Sequence, residues 1–498
     1  MRTLQKTLAL GSMLCLLSGG VAAQDIRLPD MGSPADAVLP KSEEDRIGSA
    51  IMAQIRRSGE VVEDPLITEY VSNIGARIGA HANDGNHTFS FFVIDNHRIN
   101  AFALPGGFIG IHTGLLQATR NEDELAGVMA HEIAHVTQRH IARALHANQR
   151  QSLLSTAIML GAIVAGAAGA GADAVQGGIA VAQGTAAQQR INFTRSNEHE
   201  ADRIGIRALA DAGFDPHGLA TFFEVLSRQQ PVDLRMRLPE FLRTHPVTTE
   251  RISEARNRAR DMPRVDSDDS VDYGIAKARA KVASFERAED AVAYYEGRSS
   301  LLRETDADRY GRAYAYQRDE RFRDALPLFE ALSEKDRTVI AYRMGLAETQ
   351  LGLERNIEGF ETFDEALALF PRNVPLVISY AEWLVRLDRS EEAHGMLLDL
   401  LNTVPPTPAQ VRLIARAAND AGDRAESLYY LSEYRLMTGD LPGGINMLQQ
   451  ALALPELDEI QRIRFQARIN FIREFMTEEQ IRQLQRGRQP GVTASLSQ

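Results

Sequence analysis

Apolar residues recur along this chain in three rhythms, and each predicts a different element. Behind Asn121, residues Leu125, Val128, Met129, Val136, Ile141 and Leu145 return at helical spacing, which predicts one helix over 121–150. Asn121 with Glu124 three residues later has the form of a capping box. Upstream, Ser42 followed by Glu43, Glu44 and Asp45 predicts a helix start with acids in its first turn. A second helix is expected after Pro65, with Leu66, Tyr70, Ile74 and Ile78 in register. The second rhythm is that of strands. Residues 89–94 are rich in β-formers, and 100–104 and 108–112 bracket Pro105-Gly106-Gly107 as two strands joined by a turn. The glycines have two readings: turn geometry alone, or a strand edge offered to an extended substrate beside the long helix.

The third rhythm is a repeat. Phe329, Phe363, Leu397 and Leu431 stand 34 residues apart, as do Leu346, Tyr380 and Ile414, and Ala347, Ala381 and Ala415. Pro371 and Pro405 close two successive units at the same spacing. Period and small/large alternation resemble tetratricopeptide repeats, helix pairs that stack into a solenoid. Between 424 and 455 the repeat looks irregular, as a capping unit would. The lone Trp383 does not occupy the repeat's usual tryptophan position.

Composition changes the picture at the N-terminus. Arg2 and Lys6 precede an apolar run over 8–17, and Val21-Ala22-Ala23 offers small residues for cleavage. This predicts a secretory signal peptide over 1–23, too short to span a membrane stably, with the mature chain starting at Gln24. Cys15, the one cysteine, lies inside that segment, so no disulfide is expected in the mature protein. A net charge of −12 argues against a nucleic-acid-binding surface. With 498 residues, 44% hydrophobic and 24% charged, the chain has material for more than one core. An acidic, exported, thiol-free protein of this kind is expected in the periplasm.

The expected organisation is a catalytic domain over 24–262, a polar linker over 263–290 that begins with Asp266, Asp268, Asp269 and Asp272, a repeat domain over 291–484 and a disordered tail over 485–498. Residues 153–189 form an Ala/Gly-rich insertion whose most apolar part, 153–168, falls short of the roughly 20 residues of a spanning helix. A close-packed helical hairpin and a lid that touches membrane or unfolded clients both remain open for it.

The chemistry centres on His131-Glu132-Ile133-Ala134-His135. Residues four apart share a helix face, so His131 and His135 can grip one metal ion while Glu132 reaches a water on it. A catalytic zinc needs three protein ligands and an open position. Glu198 in Asn197-Glu198-His199-Glu200-Ala201-Asp202 is the third candidate, with Asp202 one turn on as acceptor for a ligand imidazole. Glu200 competes for the metal but points about 160° from Glu198 on a helix. Glu132 is the expected general base. His245, in Thr244-His245-Pro246, and Arg251 are the candidate donors to the developing oxyanion.

Together these motifs resemble the gluzincin peptidases of the Ste-type/Oma-type family. The resemblance implies a mainly α architecture: an α+β zincin-type metallopeptidase domain with a small sheet, followed by an α-solenoid of tetratricopeptide-like repeats. It implies one Zn2+ per subunit held by His131, His135 and Glu198, and a substrate-edge strand at 100–107. With the signal peptide and the repeats, it narrows to periplasmic members that degrade or assist stalled outer-membrane β-barrel proteins and contact the barrel assembly machinery. His245 could alternatively close the metal site as a fourth ligand, a latch that a client displaces. A second class of function stands beside the endopeptidase: a repeat-based scaffold or chaperone in which proteolysis is secondary.

Overall fold

The structure is a computed structural model and describes residues 39–82, 87–147, 195–228, 240–265, 268–301, 303–402, 404–476 and 481–482. The expected signal segment, the Ala/Gly-rich insertion 153–189 and the tail 485–498 lie outside the described residues.

Two helices open the described chain, α1 (Lys41–Ser58) and α2 (Pro65–Gly79). Proline occupies the first position of α2, and the Asp64 carboxylate accepts from the backbone N–H groups of Leu66 and Ile67. Three strands follow: β1 (Ser90–Ile94), β2 (Ala101–Ala103) and β3 (Phe108–His112). In the sheet β3 is central, parallel to β1 and antiparallel to β2, which leaves β2 at an edge. The turn between β2 and β3 is a short 3-10 segment in which Gly106 and Gly107 have φ of 77° and 79°. A side chain at Gly107 would meet the Thr88 carbonyl oxygen at 2.2 Å, so the turn itself requires glycine.

After α3 (Thr113–Ala118) comes α4 (Glu122–Thr137), the buried axis of this half. Asn121 accepts from the Glu124 N–H at 3.0 Å, but the box expected there is one-sided. The Glu124 carboxylate instead binds the backbone N–H and guanidinium of Arg120. The helix expected to run on to Arg150 breaks at Arg139, whose φ is 51°, and a separate helix α5 (His140–Ala147) follows. Next are α6 (Arg195–Asp211), α7 (Gly218–Arg228), α8 (Glu240–Thr244) and α9 (Thr249–Arg260). Ile74 and Ile78 of α2, Ile109 and Ile111 of β3, Val128 and Met129 of α4, Leu209 of α6 and Phe222 of α7 share one core. Burying side chains of this size is worth about 1.5–3 kcal/mol each, so the core, with no disulfide, suffices to hold α4.

From Val271 onward the described residues are helical pairs. The expected linker region contains helix α10 (Val271–Ala283), and its Tyr273, Ala276 and Ala280 join the core of the first half. The polar run before it is short, and the apolar spacing behind Ser270 is that of a packed helix. Helices α11 (Ala288–Leu301) to α18 (Pro408–Asp420) then alternate as a tetratricopeptide-like stack. Phe329, Phe363 and Leu397 are buried at the repeat position, whereas Leu431 is half-buried. Residues 424–455, expected to be irregular, form a regular pair, Arg424–Met437 and Leu441–Leu452, covered by Glu459–Glu474. Within the first half, residues 56–69 face the stack: Arg279 bonds Asp64 at 2.7 Å, Asn373 bonds Glu69 at 3.1 Å and Arg412 pairs with Glu63 at 2.9 Å.

Candidate metal centre

Helix α4 carries His131, Glu132 and His135, all of them buried. It packs on α6, which carries Glu198 and Asp202, and the contact is close because of Gly205. A Cβ there would lie 3.0 Å from the Ala130 carbonyl and 3.1 Å from the His131 nitrogen. The short helix α8 delivers His245 from the third side, and its ring stacks on Phe241 with centroids 4.9 Å apart. One ligating atom from each of His131, His135, Glu198 and His245 falls within 4.8 Å of the others.

Inside that cluster the Nε2 atoms of His131 and His135 are 3.0 Å apart. Glu198 oxygens lie 3.6 Å from each of these nitrogens. His245 Nδ1 is 3.2 Å from both Glu198 oxygens and 3.3 Å from His131 Nε2. Three ring nitrogens and a carboxylate converging in a buried space are the donor set of a cation site, and nitrogen and oxygen donors without sulfur suit a divalent metal with Lewis-acid chemistry. Glu132 stands beside the cluster, with Oε1 3.5 Å from His245 Nε2. That oxygen is buried without a hydrogen-bond partner, so it is available to a reactant. The residues therefore fit a catalytic metal.

The electrostatics follow from burial. Burial opposes charge on His131, yet the carboxylates of Asp202 and Glu198 outweigh it and hold its pKa at about 9. Burial drives His135 well below its ordinary value, and His131 adds to the effect. Glu132 is pushed up by burial, against the opposing pull of His245 and His131. Glu198 is held well below the carboxylate range although burial opposes it, because His245 and His131 favour its charge.

Asp202 lies 2.9 Å from His131 Nδ1, on the side of the ring away from the cluster. Arg251, the other candidate donor to the oxyanion, lies among carboxylates. Its Nε and Nη2 bind the two Asp202 oxygens at 2.7 and 2.8 Å, and Nη1 is 2.8 Å from both Glu198 Oε2 and the Pro246 carbonyl. A guanidinium so engaged locks carboxylates in place.

Glu200 points away from Glu198, as helical geometry requires, and meets His140 Nε2 at 3.2 Å and Arg143 at 2.7 Å. His140 in turn lies 2.7 Å from His135 Nδ1. His140 and Arg143 were not legible as site residues. Five positions after His135, His140 would sit about 140° around a continuous helix, and the break at Arg139 brings it back. The signal available was the four-residue spacing of Arg139 and Arg143 around a third histidine. At the edge of the sheet, β2 packs against α4, and the Ala103 backbone favours charge on the Glu132 carboxylate, which sets that strand beside the cluster.

Comparison with known proteins agrees with this geometry. Residues 65–259 match the model of Peptidase family M48. The chain is 33% identical to the β-barrel assembly-enhancing protease of Yersinia pestis, over 91% of this chain and 93% of that protein. It is 33% identical to the protein of the same name from Escherichia coli K12, over 90% of this chain and 91% of that one. The mitochondrial metalloendopeptidase OMA1 of Schizosaccharomyces pombe is 31% identical over 37% of this chain and 51% of its own length. The chain is thus a metalloendopeptidase and belongs to the family of β-barrel assembly-enhancing proteases.

Proposed function

We propose that this protein is a periplasmic zinc endopeptidase that degrades or assists misfolded and stalled outer-membrane β-barrel proteins, with its repeat stack contacting clients and the barrel assembly machinery. The names of its relatives support the substrate class, and the signal-like N-terminus supports the compartment. Among the described residues no helix is long and apolar enough to cross a membrane. We take 24–262 as the catalytic domain and 291–484 as the repeat domain. Helix Val271–Ala283 then belongs to the joint between them rather than to a free linker.

The observation that carries the reading is the four-residue cluster with the unpartnered Glu132 oxygen at its rim. His131, His135 and Glu198 would hold Zn2+, which when bound supplies a Lewis acid that activates water and polarises the scissile carbonyl. Glu132, raised by burial, takes the proton of the attacking water and returns it to the leaving amine. Asp202, 2.9 Å from His131 Nδ1, favours a proton on that nitrogen and so fixes which ring nitrogen faces the cluster, while Arg251 holds Asp202 and Glu198 in register. The edge strand β2 is placed to align an extended peptide by backbone hydrogen bonds. Replacing Glu132 by Gln keeps metal and fold and should lower casein cleavage by about 10²–10⁴-fold. A mutant that cleaves like wild type removes the reading. A mutant that loses cleavage yet supports outer-membrane assembly fully favours the scaffold function.

His245 sits inside the ligand cluster, which favours the latch over the simple donor. His245→Ala should then raise basal proteolysis. Lost cleavage with metal retained would assign His245 to transition-state stabilisation instead.

A further inference from the structure

We propose that His140, Glu200 and Arg143 form a directional hydrogen-bond chain that fixes the tautomer and tilt of His135, and thereby sets how tightly the centre holds its metal. The inference deepens the metallopeptidase reading and rests on it.

His140 is fully buried, and its Nδ1 lies 2.7 Å from His135 Nδ1 with the two rings at 75°. Its other nitrogen, Nε2, is 3.2 Å from Glu200 Oε2. The same carboxylate oxygen accepts from Arg143 Nη1 at 2.7 Å. These contacts set the direction of the bonds along this chain. An ionised carboxylate only accepts, so His140 Nε2 carries the proton, and a neutral imidazole then has only Nδ1 left as acceptor. His135 Nδ1 must therefore be the N–H donor. That leaves the lone pair of His135 on Nε2, the nitrogen that faces His131 Nε2 at 3.0 Å and Glu198 at 3.6 Å. It is the tautomer that a metal ligand requires.

The chain parallels the support of the other ligand imidazole. His131 is backed by Asp202, and Asp202 is clamped by Arg251. His135 is backed by His140 and then Glu200, and Glu200 is bound by Arg143. Both supports lie on the far side of the ring from the cluster, and both end on an arginine. Helix α6 supplies a carboxylate to each, from its opposite faces, at 202 and at 200. The second support depends on the break at Arg139, whose guanidinium is itself tied to the Leu39 carbonyl at 2.7 Å and to Glu44 at 3.2 Å. Arg139 and His140 are positioning residues, since neither reaches the reacting atoms.

The test is metal affinity in the full chain. Purified wild type, His140→Leu, His140→Asn and Glu200→Ala are titrated with Zn2+ against a chromophoric chelator, and with Co2+ followed by its visible absorption. His140→Leu should bind Zn2+ about 10–100-fold more weakly and alter the Co2+ bands. His140→Asn, whose amide oxygen falls near the position of Nδ1, should recover most of the loss. Glu200→Ala, at the partly exposed end of the chain, leaves the core packing in place and should cost about 10-fold. Wild-type affinity in His140→Leu or Glu200→Ala overturns the proposal. So does an Asn variant no better than Leu, because packing alone would then account for the effect. If wild type itself binds neither ion, the metallopeptidase reading fails and takes this inference with it.

Discussion

The metal centre and the repeat stack are both built from helices, yet they are stabilised in opposite ways. Around the centre, buried charge is offset by buried charge: His131, Glu198, Asp202 and Arg251 lie 2–4% or less exposed and satisfy one another across three separate helices. In the stack, the buried core is apolar and its contacts come from neighbouring helices, with polar pairs such as Tyr380–Asp364 and Ser379–Glu348 beside it. Phe363 of one helix lies flat on Tyr380 of its neighbour, centroids 4.8 Å apart and planes 5° from parallel. The stack even repeats its backbone strain. Glu320, Glu354 and Asp388 all have φ near 60°, and Gly422 takes the corresponding place at 89°. After each of them the next N–H reaches back five residues, as Arg355 does to Gln350 at 2.9 Å. Damage to the centre should therefore spread through a network, whereas damage to the stack should remain with its neighbours.

Four changes test that contrast. Arg251→Ala strands Asp202 and Glu198 as buried, uncompensated carboxylates and should cost about 3–5 kcal/mol. Loss of bound metal and of casein cleavage should accompany the fall in melting temperature. A variant that keeps both would show that the network is not one unit. Phe363→Ala removes a fully buried ring and should cost about 3–5 kcal/mol as well. Here hydrogen exchange should loosen in the repeats while metal content and peptide cleavage stay at wild type; joint loss would merge the two regions.

His112 gives a pH-dependent effect of intermediate size. Burial lowers its pKa from 6.5 to about 4, and neither ring nitrogen has a side-chain partner. The unfolded chain binds this proton first, so the stability is present above pH 6.5 and is lost as pH falls toward about 4. The loss should be about 2 kcal/mol near pH 5, and His112→Phe should flatten that limb of a urea-denaturation pH series. Equal slopes in both proteins would assign the acid sensitivity elsewhere. The smallest change is Glu354→Gly. It relieves a left-handed residue at a helix C-terminus and should stabilise the stack by about 1 kcal/mol, read as a small rise in urea midpoint without effect on metal binding.

The same contrast explains what could be read in advance. The repeat was legible because its contacts recur at one spacing, so that Phe329, Phe363 and Leu397 reveal themselves by comparison with each other. His131 and His135 were legible because one helix face joins them. Glu198 needed a motif as well as spacing, since nothing local ties residue 198 to residue 131. The support residues were hidden. Arg251 reads only as a candidate oxyanion donor, and nothing in the spacing ties His140 to His135, because a single left-handed residue at Arg139 turns the chain between them. Helix α10 was masked by the acidic run before it.

The sequence by itself determined the local periods: which stretches are helices, which alternate as strands, that units of 34 residues follow one another, and that two histidines and a glutamate share a helix. Tertiary structure alone decided which carboxylate faces which imidazole, that Arg251 pairs with both Asp202 and Glu198, and that His245 enters the ligand cluster. The reason is physical. Local periodicity reports the face a residue presents, but the cost of burying charge is settled only by partners that folding brings from far along the chain.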